Sequence, residues 1–291
     1  MLIIGDPHIE ERNLDELEKT FTEIYAYSDA REIICLGDYY HSKRPTPKEL
    51  EFGTKWTKKF SDISLQFFIL YGNHPAINEQ ESSINYLIYI NDNIGIRNDL
   101  LIGDCYFAHK MTEKSEMYFG LGESTLSKYL VNTKDLKKYG FTFLGHQHKF
   151  QKIDENIYHV GSCIFNSFGE LNHNKKYISL VTPEKVEFVE LQSVIPMMEV
   201  FSINELDKVN QKTKVRLTIK SFDQFKKEIN FVKNLKNKFC QFKLKLDFQK
   251  EITKVEFKKD SNKFKQLIEN WLKNIKDEEI KQELKNEFGK I

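Results

Sequence analysis

The sequence predicts a layered α/β protein: a β-sandwich flanked by helices over residues 1–195, a small α/β domain over 196–258 and terminal helices over 259–291. Three observations carry that prediction. Short apolar runs alternate with helical patterns over residues 1–75, and shorter strands with period-two patterning follow to about residue 191. Val194, Ile195 and Pro196 then interrupt the pattern before a second strand–helix–strand set begins.

Taken in chain order, residues 2–4 are a buried-strand run and 14–27 (LDELEKTFTEIYAY) has helical spacing. Residues 33–36 form a second strand. Thr46 and Pro47 supply an N-cap and a first-turn proline for a helix running to about Phe60. Residues 65–71 are a third strand, and this alternation predicts strands buried on both faces. A helix is expected near 78–91, two strands within 94–109, helices over about 122–138 and a strand at 141–144. Hairpin-like pairs follow at 149–160 and 177–191, where KVEFVEL alternates as a half-exposed strand should. Beyond the boundary, 215–219, 222–235 and 239–248 read as strand, helix and strand. Residues 261–288 place Phe264, Leu267, Ile268, Trp271, Leu272 and Ile275 on one helical stripe, most simply a packed face.

The 291 residues suit one large domain and one small one, and 40% hydrophobic against 30% charged residues allows a packed core and argues against global disorder. No apolar run approaches the roughly 20 residues that span a bilayer, so no membrane partner is expected. The opening MLIIGDPH lacks a basic stretch and reaches polar residues at once, unlike a secretory leader. Cys35, Cys105, Cys163 and Cys240 are far apart without a CxxC pair, which points to a reduced, cytoplasmic setting with no thiolate metal site. The net charge of +1 hides an asymmetry: residues 201–291 carry 23 Lys and Arg against 14 Asp and Glu, a net of +9, which leaves −8 for residues 1–200. A solvated lysine-rich surface and a basic arm for nucleic acid or an acidic partner both fit that bias.

The chemistry sits at strand ends. Asp6 and His8 follow the first strand, Asp38 the second, and Asn73 and His74 the third. His109 closes the apolar run CYFAH, and His146 and His148 follow FTFL. Carboxylate, imidazole and amide oxygen are the ligands that hard and borderline divalent metals prefer, and open α/β sheets place sites at such strand ends. Glycine precedes Asp6, Asp38, Asn73 and His146, allowing tight turns and close backbone approach to an ion. A lone histidine is more often structural than a ligand. Five polar clusters in register after five strands are hard to explain as packing, because unpaired buried polar groups are costly.

The series DxH, GD, GNH, H and GHxH resembles the calcineurin-like metallophosphoesterase superfamily over about residues 1–190. Within it the chain looks like the SbcD-type nuclease subunit of the double-strand-break repair complex. Two segments carry that finer likeness: residues 37–47 (GDYYHSKRPTP), with His41 before an Arg-Pro pair, and residues 161–170 (GSCIFNSFGE). The resemblance implies one metal held by Asp6, His8, Asp38 and His148, and a second by Asp38, Asn73, His109 and His146. It implies two divalent ions, manganese by preference with magnesium the alternative, and hydrolysis by a metal-activated water. His74 would position the scissile phosphate and assist the leaving oxygen, where a bland reading makes it only an orienter of a ligand. His41 would be an additional active-site histidine, where a bland reading makes it cap the following loop. His159 and His173 match no motif, and surface or packing roles are their default.

Three features depart from the family pattern. Pro75 stands where Asp usually follows GNH, the spacing from His74 to His109 is short, and the FAHK segment around His109 has little motif of its own. The function implied is a manganese-dependent DNA nuclease in repair or recombination, a 3′-to-5′ exonuclease on duplex ends and endonuclease on single strands. It would act with an SbcC-like ABC ATPase bearing a coiled coil, and as a homodimer. Residues 196–258 would cap DNA access and 259–291 would dock the ATPase. The alternatives are another metallophosphoesterase, such as a phosphoprotein phosphatase or nucleotide phosphodiesterase, or a non-catalytic scaffold. Tyr40-His41-Ser42, where phosphatases carry Asp-Arg-Gly, argues against the phosphatase, and the intact ligand set against the scaffold.

Overall fold

The computed structural model describes residues 1–27, 31–74, 82–115, 129–171, 175–182, 184–232, 235, 238–247 and 282. The chain divides into two compact units, Met1–Ile195 and Pro196–Ile291.

In the first unit, β1 (Leu2–Ile4), β2 (Glu32–Cys35), β3 (Gln66–Leu70) and β4 (Ile94–Arg97) lie parallel and in order. The antiparallel pair β12 (Tyr177–Val181) and β13 (Val186–Glu190) extends that sheet beyond β1 to six strands. A second sheet holds β5 (Asp99–Ile102), β6 (Cys105–Ala108), β9 (Phe141–Leu144), β10 (Gln151–Asp154) and β11 (Ile157–His159) in the order β10-β11-β9-β6-β5. Strand period decides the layering. Ile3, Ile34, Phe68 and Leu70 face the second sheet and share a core with Phe107, Phe143 and Tyr158. Leu2, Ile4, Ile33, Cys35, Phe67 and Ile69 point the other way, onto α1 (Leu14–Tyr25) and α2 (Pro47–Ile63). Strands β1, β2 and β3 are thus buried on both faces, each fully buried large side chain contributing roughly 1.5–3 kcal/mol over exposure.

Helix α2 starts where its residues require. The Thr46 hydroxyl accepts from Glu49 N at 3.4 Å, and the Glu49 carboxylate accepts from Thr46 N at 2.8 Å, a reciprocal cap with Pro47 in the first turn. Its buried face, Phe52, Trp56 and Phe60, meets Phe21 of α1, with ring centroids 5.4 Å (Trp56) and 5.5 Å (Phe60) from Phe21.

Three expectations need correction. Near 78–91, the described part carries a 3-10 helix, Asn85–Tyr89, because Ile84 and Leu87 are both fully buried and lie three residues apart, the period of that turn. Residues 94–109 hold three strands instead of two: β4 ends in the first sheet and β5 opens a hairpin with β6 in the second. Of the helices expected over 122–138, residues 129–138 carry the short strand β8 (Leu130–Val131), paired with β7 (Met111–Thr112), and a single turn, Thr133–Leu136, capped by Asn132. Residues 122–128, Pro75 and His173 lie outside the described residues, as do the terminal helices apart from residue 282.

The second unit is a parallel three-stranded sheet: β14 (Met197–Val200), β15 (Lys214–Ile219) and β16 (Gln241–Leu246), with the helix Phe222–Val232. Val200, Val215, Leu217, Ile219, Phe225 and Leu246 form its own core. Strand β14 adds to the strand–helix–strand set read from the sequence; four residues beside Pro196 leave little periodicity to see. Cys35, Cys105 and Cys163 are buried free thiols, and Cys240 is exposed. Among the described residues, no helix is long and apolar enough to cross a membrane.

Candidate metal centre

Parallel pairing of β1, β2 and β3 brings their C-terminal loops to one sheet edge, and with them Asp6, His8, Asp38, Asn73 and His74. Strands β6 and β9 are also parallel, so His109, His146 and His148 leave one edge of the second sheet together. His109 joins the two sheets: its Nδ1 donates to the Leu36 carbonyl at 3.0 Å. Asp6, His8, Asp38 and His109 are buried, each at most 3% exposed.

Among the described residues three groups of donor atoms result: Asp6, His8 and His148; Asp38, His109 and His146; and His8, His41 and His74. In the first, His8 Nε2 and His148 Nε2 are 2.9 Å apart, and Asp38 Oδ2 lies 3.7 Å from His8 Nε2. In the second, Asn73 Oδ1 lies 2.9 Å from His146 Nδ1 and 3.0 Å from His109 Nε2. His109 Nε2 is also 3.2 Å from His146 Nδ1 and 3.4 Å from Asp38 Oδ2.

Residues 1–148 match the family model for calcineurin-like phosphoesterases. The chain belongs to that family. Among solved structures, an archaeal phosphodiesterase shares 20% identity at a TM-score of 0.41, over 66% of this chain and 100% of that one. The Pseudomonas putida nuclease MPE shares 15% at a TM-score of 0.35, over 61% and 82% respectively. No curated protein sequence matches the chain. The protein is a metal-dependent phosphoesterase, and the chemistry of this family uses two divalent cations.

The phosphoesterase's donor set fits such ions. Separations of 2.9–3.4 Å within the second group match the roughly 3 Å between adjacent ligands on an octahedral ion with bonds of about 2.1 Å. Asp6 Oδ1 is buried without a hydrogen-bond partner, while Asp6 Oδ2 is held by His146 N at 2.6 Å. Asp38 Oδ1 is likewise held by His74 N at 2.8 Å. In each carboxylate a backbone amide fixes one oxygen and turns the other towards the ligand cluster, 3.4 Å from a His109 ring nitrogen.

Electrostatics agree. Burial opposes ionisation of Asp6 and Asp38, yet His109 outweighs it and holds both carboxyls below their usual range. Burial also opposes the His109 imidazolium, and Asp38 and Asp6 outweigh that, raising it well above an ordinary histidine. Burial, then the neighbouring imidazoles, pushes His8 down to about 3 and His146 to about 4, so both offer lone pairs. Two carboxylates against one imidazolium leave the pocket net negative, which suits cations, and His109 would give up its Nε2 proton on taking one.

Strain is concentrated in the same place. His8, Asp38 and His146 have φ of 50°, 39° and 72°, each costing on the order of 1–3 kcal/mol and sustained only by a rigid surround. Glycine's role is sharper than free turning. A Cβ on Gly72 would stand 2.1 Å from Asp38 Oδ1, and one on Gly37, at φ +131°, would stand 2.3 Å from His109 Nδ1. These glycines make room for ligand side chains.

His74 Nδ1 donates to the His41 carbonyl at 3.0 Å, and the His8, His41 and His74 rings cluster with centroids 4.8–5.4 Å apart. His41, Ser42, Lys43, Arg44, Asn73 and His74 line an open cavity of about 750 Å³. Sequence reasoning missed three participants. His159, assigned by default to surface or packing, is fully buried behind the GHxH turn, its Nδ1 donating to Gly145 O at 3.2 Å. Tyr129 stacks on His146 at 5.3 Å. Glu170 faces His148 Nδ1 at 3.1 Å. Only Glu170 carried a signal, as the last residue of the SFGE run.

Proposed function

We propose that this phosphoesterase is a manganese-dependent DNA nuclease of the SbcD type. One observation carries the proposal: the cavity beside the ligand cluster is lined by His41 and His74 together with the cations Lys43 and Arg44. A polynucleotide presents further phosphates next to the one being cleaved, and a cationic rim suits them without reading sequence.

Asp6, His8 and His148 would hold one ion, Asn73, His109 and His146 the other, with Asp38 within reach of both groups. When bound, the ions would activate a water and neutralise charge at phosphorus. The chain's own residues do the rest. Backbone amides of His74 and His146 keep the two carboxylates in place. With Nδ1 committed to the His41 carbonyl, His74 has Nε2 available. In the protonated ring it donates to the leaving oxygen. His41 keeps His74 in that orientation through its carbonyl, and Lys43 and Arg44 hold the neighbouring phosphate.

Residues 196–258 as a cap on DNA access, 259–291 as the dock for a coiled-coil ABC ATPase, and a homodimer complete the proposal. The basic C-terminal segment, +9 over residues 201–291, supports it.

The test uses the manganese-loaded full chain on an end-labelled duplex. His74→Ala should lose about 10²–10⁴-fold in cleavage while still binding two ions. Activity on phosphopeptides with none on DNA would overturn the nuclease proposal, and loss of both ions in His74→Ala would overturn the role of His74. Deleting residues 261–291 should abolish co-purification with the ATPase; unchanged co-purification removes that segment from the proposal.

A further inference from the structure

The run GSCIFNSFGE returns the chain from the second sheet towards the first, and the function above uses none of it. Its last residue, Glu170, is 4% exposed. Glu170 Oε1 accepts from the backbone amides of Asn166 at 3.0 Å and Ser167 at 3.1 Å, and lies 3.1 Å from His148 Nδ1. Glu170 Oε2 accepts from Lys176 Nζ at 2.6 Å. Lys176 is itself 2% exposed, and its ammonium also donates to Ser162 Oγ at 2.7 Å and to the main-chain carbonyl of His148 at 2.9 Å. The Phe165 ring closes over it at 4.7 Å. Ser162 and Glu170 of the run thus converge on one ligand, His148, and Phe165 covers the lysine that links them.

We propose that Glu170 is a positioning residue for His148, with Lys176 as the buried counter-ion that ties carboxylate, serine and ligand backbone into one unit. This rests on the two-ion assignment of His148 and is independent of DNA as the substrate. The proton inventory carries it. An ionised carboxylate can only accept, so His148 donates from Nδ1, and its lone pair is confined to Nε2. Nε2 is the atom that meets His8 Nε2 within the Asp6, His8 and His148 group. A carboxylate on the far nitrogen of a ligating histidine fixes the tautomer and makes the ring a stronger donor.

Stability does not account for the buried pair. A well-packed apolar pair of similar volume commonly does as well or better than a buried ion pair, so retaining the charges calls for another reason. The competing role is a loop staple, since Glu170 also closes a capping box with Ser167 on the short helix Phe168–Glu170. A staple predicts no change at the metal group once the loop is folded.

Two charge-balanced variants separate these roles, because Glu170→Gln alone would strand a buried ammonium. Glu170→Gln with Lys176→Met keeps an acceptor oxygen without charge; Glu170→Leu with Lys176→Met removes the acceptor. Manganese binding is measured by calorimetry and electron paramagnetic resonance, and the His148 tautomer in the metal-free chain by long-range ¹H–¹⁵N spectra. One of the two ions should weaken about 10-fold in the Gln variant and about 100-fold in the Leu variant, the other staying within about twofold. The wild-type His148 should carry its proton at Nδ1 and lose that preference in the Leu variant. Wild-type affinity for both ions in both variants, or equal weakening of both ions, overturns the proposal. Should the Leu variant not fold, the Gln variant's one-site weakening decides alone. A wild type that binds no manganese would refute the metal assignment, while the tautomer spectra would still decide the role of Glu170.

Discussion

Burial of His159 makes the protein's stability depend on pH, and the dependence can be sized. The ring is fully buried, with Nδ1 donating to Gly145 O at 3.2 Å and Nε2 accepting from Ser115 Oγ at 2.8 Å. Burial pushes it down to about 4 from the ordinary 6.5. The folded value lies below the unfolded one, so on acidification the unfolded chain takes up a proton that the folded chain refuses. The contribution is intact above about pH 6.5 and is lost as pH falls towards 4. A displacement of this size is worth about 3 kcal/mol in all, of which about 2 kcal/mol falls between pH 7 and pH 5. Urea unfolding of the metal-free protein at those two pH values measures it, with His159→Gln as the reference that cannot titrate. At pH 7 the variant should be weaker by about 1–3 kcal/mol, from its imperfect replacement of two buried hydrogen bonds. Between pH 7 and 5 it should lose about 2 kcal/mol less than the wild type. Equal losses, or a His159 resonance titrating near 6.5, would refute the reasoning.

Gly72→Ala places a methyl against Asp38 Oδ1; displacing that carboxylate by even 1 Å should cost about 10²-fold in turnover with weakened metal binding, read by calorimetry beside a cleavage assay. Trp56→Ala empties a site at 1% exposure between Phe21 and Phe60 and strips the bond to Glu18 at 2.8 Å, so urea unfolding should show a loss of about 3–5 kcal/mol. Lys43→Ala with Arg44→Ala should flatten the salt dependence of DNA binding by roughly 0.7–0.9 per charge removed; an unchanged slope would take this rim out of the DNA path.

Much of the site was legible because it is local in sequence. Asp6, His8, Asp38, Asn73, His74, His109, His146 and His148 each follow a strand directly, so motif and strand end coincide, and parallel pairing assembles them. Elements were legible where side-chain period was strong, as in α2 with its Thr46 cap. They were missed where context overrode pattern: the 3-10 turn at Asn85–Tyr89, and the crossing between sheets that splits 94–109 into three strands.

What the sequence by itself determined is the inventory: which donors exist, that they lie at strand ends, and that metal-dependent phosphoester chemistry follows. The tertiary structure decided what surrounds them. His159 and Lys176 have no motif, and their burial depends on contacts with residues such as Gly145, Ser162 and Glu170 that the fold brings close. The division of ligands into two groups, and the room that Gly72 and Gly37 leave for Asp38 and His109, arise across sheets. A single sequence records order along the chain, whereas burial, proton position and ligand spacing are properties of distance in space.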